Sequence, residues 1–171
     1  MRVFRILPVL LFVIMTACNS DGERKSLINE IESLEAELYA DSLGPVDRQM
    51  AQEMITAYDD FTNAYPGDSL APEYLYKSSE IAMNLEMSGR AVEGFRKIMN
   101  NYPDFDKVPL CLFLQAFIYE NQMQQYDEAK KLYREFLEKY PDHDLAEDAL
   151  VSIQNMGKSL EELIKSWEAG E

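Results

Sequence analysis

The chain has 171 residues, 47% hydrophobic and 27% charged, which is enough for a genuine core, and its seven glycines and seven prolines argue against a long disordered stretch. A formal charge of −15 opposes nucleic acid phosphates and anionic lipid surfaces, so charge-driven binding to either is not expected. Two cysteines, Cys18 and Cys111, cannot make a disulfide framework, and a lone histidine, His143, excludes a His-based metal cluster or a His-dependent catalytic pair.

The start, Met1-Arg2-Val3-Phe4-Arg5, is basic, and Ile6 to Ala17 is an apolar run too short to span a bilayer. Together they read as a secretory signal peptide over 1–17. Its removal takes away Arg2 and Arg5 and no acid, so −15 becomes −17. Met15-Thr16-Ala17-Cys18 resembles the lipobox of bacterial lipoproteins, with Met where Leu is usual. That resemblance implies cleavage before Cys18, diacylation of its sulfur and acylation of its new amino group. Three acyl chains at ~0.8 kcal/mol per buried CH₂ would anchor the protein permanently. An ordinary signal peptide with a chance cysteine is the alternative. Residues 18–23 read as the lipidated cysteine and a polar tether. Asn19 is similar to an outer-membrane sorting residue, and the acids after it resemble export signals of Bacteroidetes surface lipoproteins. The implied location is the cell envelope, at either face of the outer membrane.

The domain proper is expected over 24–171. Leu27, Ile31, Leu34 and Leu38 form one stripe of an amphipathic helix over 24–42, coiled-coil-like and open to self-association. Gly44-Pro45 ends it and begins a helix over 46–65. That helix carries a pattern the chain repeats. Met54-x₃-Tyr58-x₂-Phe61-x₃-Tyr65-Pro66 becomes Ala91-x₃-Phe95-x₂-Ile98-x₃-Tyr102-Pro103, then Ala129-x₃-Tyr133-x₂-Phe136-x₃-Tyr140-Pro141. The prolines lie 103 − 66 = 37 and 141 − 103 = 38 positions apart, a solenoid period. Each Tyr-Pro breaks a helix, because a residue before proline avoids the α region. Ser69, Asp106 and Asp144 follow each Tyr-Pro by three and are expected N-caps, Asp144 with Glu147 as a capping box. Further helices are expected over 70–87, 90–101, 107–122, 126–139, 145–156 and 160–169. Gly89 and Gly157 read as C-terminal caps, and Ser159 with Glu162 as a second capping box. No segment alternates as a half-buried strand would, so the fold is all-α, with eight helices in four hairpins.

These residues resemble the tetratricopeptide repeat (TPR). Leu75, Ser78, Ser79, Ala82, Ala91, Phe95 and Pro103 stand at its pattern positions, and Leu112, Gln115, Ala116 and Tyr119 begin the next copy. Ser78 and Gln115 replace a leucine. The period exceeds 34 by three or four, which one extra turn at the start of each first helix would absorb. The resemblance covers about 46–156. With Tyr-Pro closing a longer unit, it is similar to bacterial envelope TPR proteins, namely the lipoprotein of the outer-membrane barrel assembly machine and the periplasmic coordinator of division. It implies a TPR-like α-solenoid with both ends capped, non-enzymatic, recruiting an envelope protein or peptide.

The helix over 107–122 is apolar on every side and is expected to be covered on every side, Cys111 included. No phosphate-binding loop, dinucleotide fingerprint, nucleophile elbow or CxxC occurs, so neither a cofactor nor a catalytic residue is expected. Asp142-His143-Asp144 looks like a metal ligand set, but Asp144 is better used as a cap. By the TPR resemblance, partners bind the first helix of each hairpin. Tyr76, Glu80 and Asn84 share one helix face, and adding 37 gives Phe113, Phe117 and Asn121. These six form the expected groove, with Phe113 and Phe117 alternatively core. Trp167 either anchors a partner or packs the terminal cap. The alternative function is a surface lipoprotein accessory that binds glycans or small ligands.

Overall fold

The computed structural model describes residues 7–38, 47–159, 161–162 and 164–165, and for 7–20 the backbone alone. The basic start, the Gly44-Pro45 break and Trp167 lie outside the described residues. Among the described residues seven helices are delimited: α1 Leu7–Leu38, α2 Arg48–Ala64, α3 Ala71–Asn84, α4 Ser88–Asn101, α5 Val108–Asn121, α6 Tyr126–Lys139 and α7 Ala146–Asn155. No strand occurs among the described residues. The fold is therefore the expected all-α, TPR-like solenoid class, with seven helices against eight. Of the expected helix 160–169, residues 161–162 and 164–165 are helical and the rest is not described. Its capping box forms: the Ser159 amide donates to Glu162 Oε2 at 2.7 Å and the Glu162 amide to Ser159 Oγ at 3.3 Å.

The three Tyr-Pro units have nearly one backbone geometry. Tyr65, Tyr102 and Tyr140 have φ/ψ of −129/59, −133/58 and −134/56, and each donates its amide at 2.8 Å to the carbonyl four residues earlier. In every copy the large side chains ahead of the closing Tyr-Pro are fully buried: Met54, Tyr58 and Phe61; Phe95 and Ile98; Tyr133 and Phe136. Each such burial stabilises by about 1.5–3 kcal/mol relative to exposure, which is why the pattern recurs so strictly.

Two expectations about the connections are corrected. The excess over 34 residues does not lengthen the first helix. It lies in six-residue connections, 65–70, 102–107 and 140–145, with one more residue in the α5–α6 turn, 122–125, than in the α3–α4 turn, 85–87. The N-caps also fall one residue later than expected. Lys107 and Leu145 cap α5 and α7 without a side-chain bond, and Asp106 and Asp144 stand outside, exposed. The turn satisfies the helix entry with its own backbone. Ala71, Val108 and Ala146 donate to the carbonyls of Asp68, Phe105 and His143, at 3.1, 3.0 and 2.8 Å. Asp68 Oδ1 accepts from the Leu70 amide at 2.9 Å, and His143 Nδ1 from the Leu145 amide at 3.1 Å, the two-residue reach of an Asx-type turn.

A third correction concerns Gly89, which lies inside α4. The positive φ after α3 belongs to Glu86 at 60°, and its counterpart after α5 is Gln124 at 53°. Gly157, at φ 78°, does follow α7, as expected.

The chain divides into two compact units, Met1–Tyr74 and Leu75–Glu171. In the first, α1 packs on α2. The α1 stripe is engaged there: Ile31 is buried and Leu27, Leu34 and Leu38 are half-buried. The Tyr58 hydroxyl donates to Glu35 at 2.6 Å, and Arg24 forks onto Asp68 at 2.6 and 3.2 Å. Tyr74 meets Tyr58 stacked at 5.3 Å and Phe61 edge-on at 4.9 Å. The segment expected as a tether, 18–23, lies within α1, and 39–42 lie outside the described residues.

In the second unit α4 packs on α5, α5 on α6 and α6 on α7. A Cβ added at Gly94 of α4 would stand 2.0 Å from Ser79 Oγ of α3, so those two helices meet where neither carries bulk. Gln122 links three elements, accepting from Ser88 Oγ at 2.8 Å and donating to the Met83 carbonyl at 3.0 Å.

Candidate functional site

In the second unit α5 packs against α4 and α6, and it carries the most apolar sequence of the helices. Val108, Cys111, Leu112, Gln115, Ala116 and Ile118 are buried. Burial pushes the Cys111 thiol up to about 12, with the Glu80 charge adding to the effect, so at neutral pH it is an inert core group. The helix is not covered on every side, however. Phe117 is 39% exposed.

The six expected groove residues separate on inspection. Tyr76 is buried, and its hydroxyl donates to Glu80 Oε1 at 2.8 Å, which shows that those two share a face. Its ring lies 5.8 Å from Phe95 and 6.3 Å from Phe105, under Lys107 Nζ at 4.5 Å. That cation–π contact holds the start of α5 beside α3. Phe113 is half-buried and meets Tyr133 and Phe136 edge-on at 5.4 and 5.6 Å, so it belongs chiefly to the core. Glu80 is half-buried, while Asn84, Phe117 and Asn121 are exposed. Asn121 Nδ2 donates to the Phe117 carbonyl at 3.0 Å.

The same face continues past the six. Adding 38 to 113 and 117 gives Val151 and Asn155 on α7, and Val151 is 47% exposed. A further step along the 38-residue period would have found them in the sequence. Tyr126, 40% exposed, stands on Gly157, and an open polar recess of about 410 Å³ there is lined by Asn121, Tyr126, Asn155 and Ser159, among others. No sequence signal marks that recess, because it depends on how the α5–α6 turn meets the end of α7. Among the described residues no group of His, Cys, Asp and Glu is arranged to hold a metal. His143 spends Nδ1 on the Leu145 amide and sets its ring 5.3 Å from Phe136.

A stack of helical hairpins with an amide- and aromatic-bearing face defines a helical-repeat protein. The family model described as tetratricopeptide repeat matches residues 110–143, which run from the third residue of α5 through α6 into the Tyr-Pro connection. That stretch of the chain is similar to a tetratricopeptide repeat. No curated protein matches the chain. Repeats of this kind generally mediate protein–protein contacts and are typically non-enzymatic scaffolds.

Proposed function

We propose that the protein is a non-enzymatic scaffold of the bacterial cell envelope, anchored through acylated Cys18, that recruits a protein or peptide on the face formed by α5 and α7. The observation that carries this reading is Phe117. It is a large apolar side chain left open on a helix whose other apolar residues are buried or half-buried, beside Asn121 and in the register of Val151 and Asn155. Such a face offers an apolar anchor with amides ready to pair an extended backbone. Two recesses among the described residues are open, each with a single tyrosine in its lining, which favours a peptide over a sugar. The lipobox-like Met15 to Cys18 supports the anchor.

Affinity capture from membranes, with wild type beside Phe117→Asp, tests the role. A partner retained by wild type and lost from the variant supports it, and equal retention refutes the site. Incorporation of labelled palmitate that disappears in Cys18→Ala tests the anchor.

A further inference from the structure

On α5, Gln115 and Tyr119 lie about 200° around the helix from Phe113 and Phe117, so they face away from the surface described above. There α4, α5 and α6 enclose an open cleft of about 460 Å³. Its apolar walls are Val92, Tyr119, Met123 and Leu132.

Gln115 also lines the cleft, at a position where the repeat pattern carries leucine. It is only 5% exposed. Its amide nitrogen is occupied, donating to Met99 Sδ at 2.9 Å and to the Cys111 carbonyl at 3.4 Å. Among the described residues its carbonyl oxygen accepts no hydrogen bond. Every fully buried side-chain polar atom among the described residues does have a partner, so this oxygen must open into the cleft. A buried amide in place of leucine, with its acceptor turned toward a recess, asks for a donor from outside.

The rim adds charge. Arg96 and Lys131 flank the opening, paired to Glu93 and, at 3.9 Å, to Glu128. Both pairs are exposed and therefore weak, so an incoming carboxylate can displace the internal ones. α4 carries Arg90, Arg96 and Lys97 against Glu93 alone, a local excess of cations in a chain of net charge −15.

We propose that this cleft receives a tyrosine or tryptophan side chain, presented by a partner protein within an acid-flanked segment. The ring lies on the apolar walls, its O–H or N–H donates to Gln115 Oε1, and the flanking carboxylates meet Arg96 and Lys131. These two residue types join an apolar body to a donor tip. The assignment rests on the protein-binding reading only in taking a protein segment as occupant, because the face is a different one.

The test uses the full chain and three dye-labelled, capped nine-residue peptides followed by fluorescence anisotropy at low salt. One has a central Trp flanked by two Glu on each side, one replaces Trp by Phe, and one replaces the Glu by Lys. The Trp peptide should bind about fivefold tighter than the Phe peptide, the worth of one hydrogen bond, and the Lys-flanked peptide should not bind. Gln115→Leu restores the apolar residue of the repeat pattern, so it should keep the fold and bring the Trp-to-Phe ratio to about one. Arg96→Gln with Lys131→Gln should abolish the preference for acidic flanks. Phe117→Asp should change nothing here; if it removes binding, the peptide sits on the other face, and this inference fails while the protein-binding reading stands. A ratio unmoved by Gln115→Leu, or no binding of the Trp peptide, overturns the proposal. Self-association of the chain that Gln115→Leu abolishes overturns it too, by making a second copy the occupant.

Discussion

The Arg24 guanidinium grips both carboxylate oxygens of Asp68, and Asp68 also accepts from the Leu70 amide, so its carboxyl is held below the usual range. The folded value lies below the unfolded one. The contribution is therefore present above the ordinary carboxylate value of about 4, and it is lost as pH falls from there through the folded value. Asp68→Asn should flatten the pH dependence of the melting temperature below about pH 4, and the wild-type and variant curves should converge at low pH. Circular dichroism melts across pH check this. The Arg24 side chain is partly exposed, which keeps the effect modest. Cys111 shows the opposite influence of surroundings. Its buried thiol, pushed up to about 12, should stay unalkylated by iodoacetamide at pH 8 in the folded chain and react fully in denaturant, as mass spectrometry would show. The burial of Cys111 was plain from its apolar neighbours. The role of His143 as a turn acceptor was not, because a side chain folding back two residues leaves no periodic trace.

At the scale of elements, helix positions were readable because apolar spacing and Tyr-Pro punctuation agree. The proline fixes where α2, α4 and α6 end, and the structure gives Tyr65, Tyr102 and Tyr140 one conformation. Helix starts were less legible. Ser and Asp are good caps in general, but here backbone bonds within the connection do that work, and the caps shift to Lys107 and Leu145. Contacts between helices were hidden for a related reason: a glycine inside α4 reads as a weak helix former until the neighbouring helix is seen. Gly94→Ala would ordinarily favour a helix by up to about 1 kcal/mol. Here the new methyl would lie 2.0 Å from Ser79 Oγ, so the substitution should destabilise by about 1–3 kcal/mol. Ser79→Ala in the same chain should recover part of that loss, because only the Ser79 Cβ contact at 3.1 Å then remains tight. Urea denaturation of both single variants and the double variant measures the coupling.

For the whole molecule, the repeat foretold an all-helical chain built of similar hairpins. It could not say which aromatic side chains the stack consumes. Tyr76 and Phe113 occupy the pattern positions of the expected groove, yet Phe95 and Phe105 cover the first, while Tyr133 and Phe136 pack against the second. Phe117 escapes and stays 39% exposed. The direct test places a photo-cross-linking benzoylphenylalanine at 117, at 151 or, as a control, at the exposed position 63 of α2, in the full chain within its native cells. The account predicts the same discrete cross-linked protein from 117 and 151 and none from 63. Cross-linking that is absent at both, or equally present at 63, would contradict it.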